Sequence, residues 1–123
     1  MLRLDIPTAP FWVECAHGVR LLVRPCTYAL NQAAVARVAR RLREMDATED
    51  ADLRAGRAQA ESLVALGEVL IEAWDGVGDA AGEAAAPVTA DNIRALLSLP
   101  EIGIAFNQAI SQPLARLAAE GNA

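Results

Sequence analysis

Between Phe11 and Arg24 apolar and polar side chains alternate with a period of two: Phe11, Val13 and Cys15 against Trp12 and Glu14, then Val19, Leu21 and Val23 against Arg20, Leu22 and Arg24. That period predicts two strands joined through Ala16-His17-Gly18. The pattern also fixes the loop length. A two-residue turn at His17 and Gly18 would put Phe11 and Val13 on the same face as Arg20 and Arg24. A three-residue loop pairs Cys15 with Val19, Val13 with Leu21 and Phe11 with Val23, so that one face is wholly apolar. It also sets Gly18 at the last loop position, where a left-handed residue and a bulge are usual. On the opposite face Trp12 meets Leu22 and Glu14 meets Arg20, a charge pair beside exposed apolar area. Pro25, with no amide hydrogen to donate, ends the second strand.

Ahead of the hairpin, Leu2, Leu4 and Ile6 alternate with Arg3 and Asp5 until Pro7 and Pro10. This is a candidate first strand, and it would turn a marginal hairpin into a meander. After the hairpin the period changes to that of helices. Thr27 is a fitting N-cap for a helix from about Tyr28 to Met45, with Leu30, Ala34, Val38, Leu42 and Met45 as its buried stripe. Arg37, Arg40, Arg41 and Arg43 fall mostly on its other side, with Arg40 in reach of Glu44. Thr48 or Asp50 can cap a second helix reaching about Ala73. Its stripe is Leu53, Ala60, Leu63, Val64, Gly67, Leu70, Ile71 and Trp74, while Glu61, Glu68 and Glu72 share its solvent side. The Gly- and Ala-rich stretch from Gly78 to Ala86 predicts a mobile loop. Thr89 then caps a short helix bearing Ile93, Leu96 and Leu97. Pro100 starts the last helix, with Ile102, Phe106, Ala109, Ile110, Leu114 and Leu117 as its stripe, and Pro113 predicts a kink or break near Ser111. The expected fold is α+β: a small N-terminal antiparallel β-hairpin or three-stranded meander over residues 1–26, then a bundle of about four α-helices over 27–123. The whole forms a single domain with a mobile loop near 78–88.

With 123 residues, 54% of them apolar, the chain suffices for one core. No apolar run approaches the length of a membrane span, and the first residues lack the pattern of a signal peptide. The expected setting is the cytoplasm. All 11 basic residues are Arg, which fits a GC-rich coding bias. Up to Arg43, seven Arg face Asp5 and Glu14, a net +5; from Glu44 onward, four Arg face fourteen acids, a net −10. Either the basic part folds back on the acidic part, or it offers a surface to an acidic partner. Cys15 and Cys26 fall at opposite ends of the hairpin, too far apart to bridge, and free, mostly buried thiols are expected.

Chemistry is sparse. A nucleophile needs a base in reach and a group to orient that base. The single His, His17, sits in a tight turn, and Ser62, Ser98 and Ser111 lie on helices or at their ends. No Glu-x-x-His or other metal-ligand spacing occurs, so neither metal nor cofactor is expected, and no glycine pattern matches a phosphate cradle. The arginine cluster has no interleaved aromatics and the overall charge is acidic, which disfavours nucleic acid. A non-catalytic binding protein is the expectation.

The order of segments W-V-E-x-x-x-G-V-R-L-L-V-R-P-x-T, L-I-E-A-W-D-G-V and a Thr-capped x-x-N-I-R-A-L-L, over Phe11 to about Phe106, resembles the tail assembly chaperones of long-tailed phages and of prophage or gene-transfer-agent clusters. The resemblance implies a small α+β protein that binds the tape measure protein, helps recruit tail tube subunits and is absent from the finished particle. Family members are often made in two lengths by a programmed frameshift. Self-association stays open. By position, the hairpin, Trp74 to Val77 and Thr89 to Leu97 match the family pattern, whereas the loop before Pro87 is richer in Ala. The candidate partner contacts are Trp12, Leu22 and Trp74, with the basic side chains Arg20, Arg24, Arg37 and Arg41. A head-tail connector or baseplate subunit retained in the particle is the competing expectation.

Overall fold

A computed structural model describes Met1 and residues 4–122 of the chain, the side chains of 112–122 lying outside the description. The alternation of the hairpin is realised residue for residue. Strands β1 (Phe11–Glu14) and β2 (Arg20–Val23) pair antiparallel with Phe11 opposite Val23, Trp12 opposite Leu22, Val13 opposite Leu21 and Glu14 opposite Arg20. The three-residue loop closes with Cys15 N–H donating to the Val19 carbonyl at 2.8 Å. Gly18 has φ +73° as expected, and His17 beside it is also left-handed, at φ 61°.

Four helices follow. Thr27 caps α1 (Tyr28–Leu42), its hydroxyl oxygen accepting from Leu30 N–H at 3.2 Å. Asp50, rather than Thr48, caps α2 (Ala51–Leu70) through Leu53 N–H, while Thr48 is tied back to Asp46. Thr89 caps α3 (Ala90–Leu97), and α4 (Pro100–Asn122) starts at its proline. Of the kink or break expected near Ser111, the break does not occur, because α4 runs unbroken from Pro100 to Asn122. The expected places of Leu114 and Leu117 in its stripe lie outside the described residues.

The largest departure is the third strand. Residues 4–10 form no strand, and Leu4 and Ile6 are exposed; Leu2 and Arg3 lie outside the described residues. Instead α2 stops at Leu70 and the chain runs directly into β3 (Ile71–Asp75), antiparallel to β2, giving the sheet order β1-β2-β3. Ile71 and Trp74 continue the helical stripe of α2 and also serve as the inward positions of a strand. The choice falls to β2, whose free edge offers backbone partners that Pro7 and Pro10 could not match. A bulge at Glu72 reconciles the spacing, because Leu22 pairs with Ala73 but Val23 pairs with Ile71.

The core lies between the inner face of this sheet and α2, α3 and α4: Val13, Leu21, Val23, Val64, Leu70, Ile71, Ile93, Leu97, Ile102 and Phe106. Gly67 permits close approach of α3, since a Cβ there would stand 2.5 Å from Leu97 Cδ1. α1 is bound more loosely. Of its expected stripe only Ala34 is buried, while Leu30, Val38 and Met45 are half-buried and Leu42 is exposed. On α2, Leu53 and Ala60 are exposed as well, because α3 covers only the later turns.

Residues 77–86 form a hydrogen-bonded loop. Ala86 N–H donates to the Val77 carbonyl, Asp79 N–H to Ala84 and Gly82 N–H to Asp79, while the Trp74 indole N–H donates to Ala86 at 2.8 Å. Both cysteines are free, but Cys26 is exposed rather than buried, since it follows Pro25 out of the sheet.

Candidate functional site

Among the described residues, the helices pack on one face of the sheet and leave the other open. Two rows cross it in register. Trp12, Leu22 and Ala73 form an apolar row, and Glu14, Arg20 and Asp75 form a charged row beside it. Trp12 is 43% exposed and Leu22 half-buried. The Arg20 guanidinium lies 4.5 Å from the centre of the Trp12 ring, with Nε 2.9 Å from Glu14 Oε1 and Nη1 3.6 Å from Asp75 Oδ2. Arg24, at the end of β2, has its Nε 2.8 Å from Glu72 Oε1 at the bulge. Such exposed ion pairs add little to stability, roughly 0–1 kcal/mol each. Their effect is positional: Arg20, held by both carboxylates, places its cation over the Trp12 indole face. An exposed tryptophan fixed by arginine, with a leucine beside it and charges of both signs around it, has the composition of a protein-binding patch.

The structure brings Trp12, Arg20 and Leu22 together, whereas Arg24, at the end of β2, lines a cleft with Arg37, Glu68 and Glu72, and Trp74 and Arg41 lie apart from the row. Trp74 pairs with Leu21, so its ring faces the core and its indole anchors the 77–86 loop. Arg37 and Arg41 do not join an open basic surface; they turn toward α2. Arg41 grips Glu68 with two guanidinium nitrogens, Nη1 2.6 Å from Oε1 and Nη2 2.8 Å from Oε2, and lies 3.6 Å from Glu61. Arg37 stands 3.8 Å from Glu68. Arg94 on α3 completes the network with a two-pronged contact to Glu61 at 2.6 and 2.9 Å. Glu61, Glu68 and Glu72 therefore do not share a solvent side. The Glu68 side chain is only 8% exposed, and each of the three carboxylates meets an arginine. The expected Arg40–Glu44 pair is not formed, and the basic part of the chain folds back on the acidic part. The signal for this was present in the spacings: Arg37 and Arg41 are one turn apart on α1, Glu61 and Glu68 two turns apart on α2, and two antiparallel helices can bring such pairs into line. The hydrogen-bonded Glu68 carboxylate raises the Arg41 pKa still further, and the Arg94 guanidinium holds the Glu61 carboxyl below its ordinary value.

The remaining reactive groups are occupied or quiescent. His17 Nε2 faces Glu101 Oε2 at 3.0 Å and links the hairpin loop to the first turn of α4. The hydroxyls of Ser62, Ser98 and Ser111 donate to the carbonyls of Ala58, Ala95 and Asn107. Desolvation, and then the Glu14 charge, push the Cys15 thiol up, and partial desolvation by neighbouring groups raises the largely exposed Cys26 thiol as well, so both stay protonated and poorly nucleophilic near neutral pH. Among the described residues no group of three or more His, Cys, Asp or Glu side chains is placed to hold a metal ion. No protein-family model, curated protein or solved structure matches the chain. Nor is any helix of the described residues long and apolar enough to cross a membrane.

Proposed function

We propose that this protein is a non-catalytic assembly chaperone that binds the tape measure protein of a phage-like tail and helps recruit tail tube subunits, acting in the cytoplasm of the host cell and leaving before the particle is complete. The observation that carries the reading is the bare outer face of the sheet, with Trp12 held under Arg20 beside Leu22. It is supported by where the resembling segments fall. Trp12 to Arg24 forms two strands and Ile71 to Asp75 the third, so two motifs distant in sequence build that face, while Thr89 to Leu97 packs against α2 on the core side. A tape measure chain waiting for its tube exposes long apolar helical faces, and a flat patch of tryptophan and leucine rimmed by arginine and carboxylates suits the transient covering of such a surface.

The test is affinity purification of the protein from cells expressing its whole native gene cluster, with partners identified by mass spectrometry and finished particles assayed in parallel. Co-purification of a very long helical protein and a tube subunit, with particles lacking this chain, is the expected result. Its presence in particles at a fixed ring-like stoichiometry would replace the chaperone with a head-tail connector or baseplate subunit. Trp12→Ala combined with Leu22→Ala should abolish the co-purification and leave the far-UV circular dichroism intact. Loss of the helical signal would mean instead that the pair supports the core.

A further inference from the structure

The charges on the outer face of the sheet say what sign its partner must carry. In the charged row Arg20 sits on the central strand between two carboxylates, meeting Glu14 through Oε1 and Asp75 through Oδ2. The Glu14 and Asp75 side chains are 75% and 62% exposed, that of Arg20 40%. The row thus turns its anions outward and keeps its single cation engaged with them and with the Trp12 ring, for a net charge of −1. The apolar row of Trp12, Leu22 and Ala73 runs beside it, two residues along the strands and so about 7 Å away.

We infer that the segment this face takes is an amphipathic α-helix laid across the three strands, with basic side chains along the flank that meets Glu14 and Asp75. The inference rests on the reading of the face as the partner-binding patch, and it names what that partner presents. The spacing fits a helix. Adjacent strands stand about 4.8 Å apart, so Trp12 to Ala73, and likewise Glu14 to Asp75, spans about 10 Å. Positions i, i+3 or i+4, and i+7 of a helix cover about 10.5 Å. A helix whose axis follows the apolar row therefore sets three stripe residues over Trp12, Leu22 and Ala73, and two flank residues seven apart beside the carboxylates. The row tapers from Trp12 to Ala73, so a small side chain sits over the indole and a larger one over Ala73. Charge then selects the flank. A helix in this position takes water from the neighbouring carboxylates, and a carboxylate that loses water without gaining a cation is destabilised. An acidic flank or a phosphate backbone adds repulsion, and a second copy of this chain brings two more carboxylates and a further net charge of −5. Lysine or arginine at the flank positions offsets the lost water.

Fluorescence anisotropy with labelled synthetic helices tests the inference on the full chain. The probes are two peptides of about 18 residues with the same leucine stripe, one carrying lysine and the other glutamate at flank positions seven apart, at low ionic strength. The lysine peptide should bind at least about fivefold more tightly than the glutamate peptide, and Glu14→Gln with Asp75→Asn should remove most of that preference. Glu44→Gln with Asp52→Asn changes the net charge equally but lies on the α1–α2 connection and the first turn of α2, and should leave the preference intact. Trp12→Ala with Leu22→Ala should weaken the binding of both peptides. No binding of the lysine peptide, equal affinities, or a preference for glutamate would overturn the inference. So would a lysine preference that survives Glu14→Gln with Asp75→Asn, or that falls equally in Glu44→Gln with Asp52→Asn. The tape measure reading fails differently: the lysine preference holds, but no long helical protein co-purifies from the native gene cluster. Co-purification of such a protein without the lysine preference sinks only the present inference.

Discussion

Replacing Arg41 by Ala isolates the charge cluster that joins α1 to α2 among the described residues. In the native chain Glu68 is 8% exposed and receives two contacts from Arg41, which is itself 28% exposed. Without Arg41 the nearest cation to Glu68 is Arg37, at 3.8 Å. Stranding a carboxylate in a fully buried site costs about 3–5 kcal/mol, and a charge-assisted hydrogen bond contributes about 1.5–3 kcal/mol. Because Arg41 keeps some solvent and Arg37 can close on Glu68, the expected loss is at the lower end, about 2 kcal/mol. For a chain of 123 residues that corresponds to about 8 °C in melting temperature. Urea denaturation followed by far-UV circular dichroism measures it directly, with Arg40→Ala as the control, since Arg40 forms no ion pair with Glu44 and should change stability by less than about 0.5 kcal/mol. The paired replacement Arg41→Met with Glu68→Leu should recover most of the loss, because it removes both charges together. If Arg41→Ala and Arg40→Ala prove equally mild, the network is a solvated ornament and α1 is held by its apolar contacts alone.

Three further outcomes follow from the same contacts. The Glu61 carboxyl, lowered by Arg94, contributes stability that is present above the ordinary carboxylate range and lost as pH falls through its depressed folded value; Arg94→Met should flatten the acid limb of urea midpoints taken from about pH 7 to about pH 2.5. Gly76 has φ +78°, and a Cβ there would run into the Gly18 carbonyl of the hairpin loop, so Gly76→Ala should cost about 2–4 kcal/mol in the same assay, whereas Gly56→Ala on the open part of α2 should stabilise slightly. Trp74→Phe removes the indole donor to Ala86 and should lower stability by about 1 kcal/mol while raising hydrogen exchange across residues 77–86; unchanged exchange there would show that the loop holds itself.

Much of this architecture is written locally. The hairpin, its three-residue loop and its register follow from an alternation that only one pairing can make apolar on a single face, and the Thr27 and Thr89 caps follow from side chains that bond the amides of their own first turns, while the structure selects Asp50 over Thr48 for α2. The outer row of Trp12 and Leu22 was legible for the same reason, since an inward face defines an outward one. The third strand was not. Ile71 to Trp74 satisfies helix and strand periods alike, and the free edge of β2, about fifty residues earlier, decided between them. Nor was the fate of the charges legible: a run of arginines and a set of glutamates each read as a solvated face until α1 and α2 lie side by side, when Arg41 and Glu68 neutralise one another and leave Trp12, Arg20 and Leu22 as the candidate patch. Sequence by itself determined what each segment could do with its neighbours along the chain. The tertiary structure decided which hydrogen-bonding edge and which opposite charge each segment would meet, because those partners are brought close only by the fold.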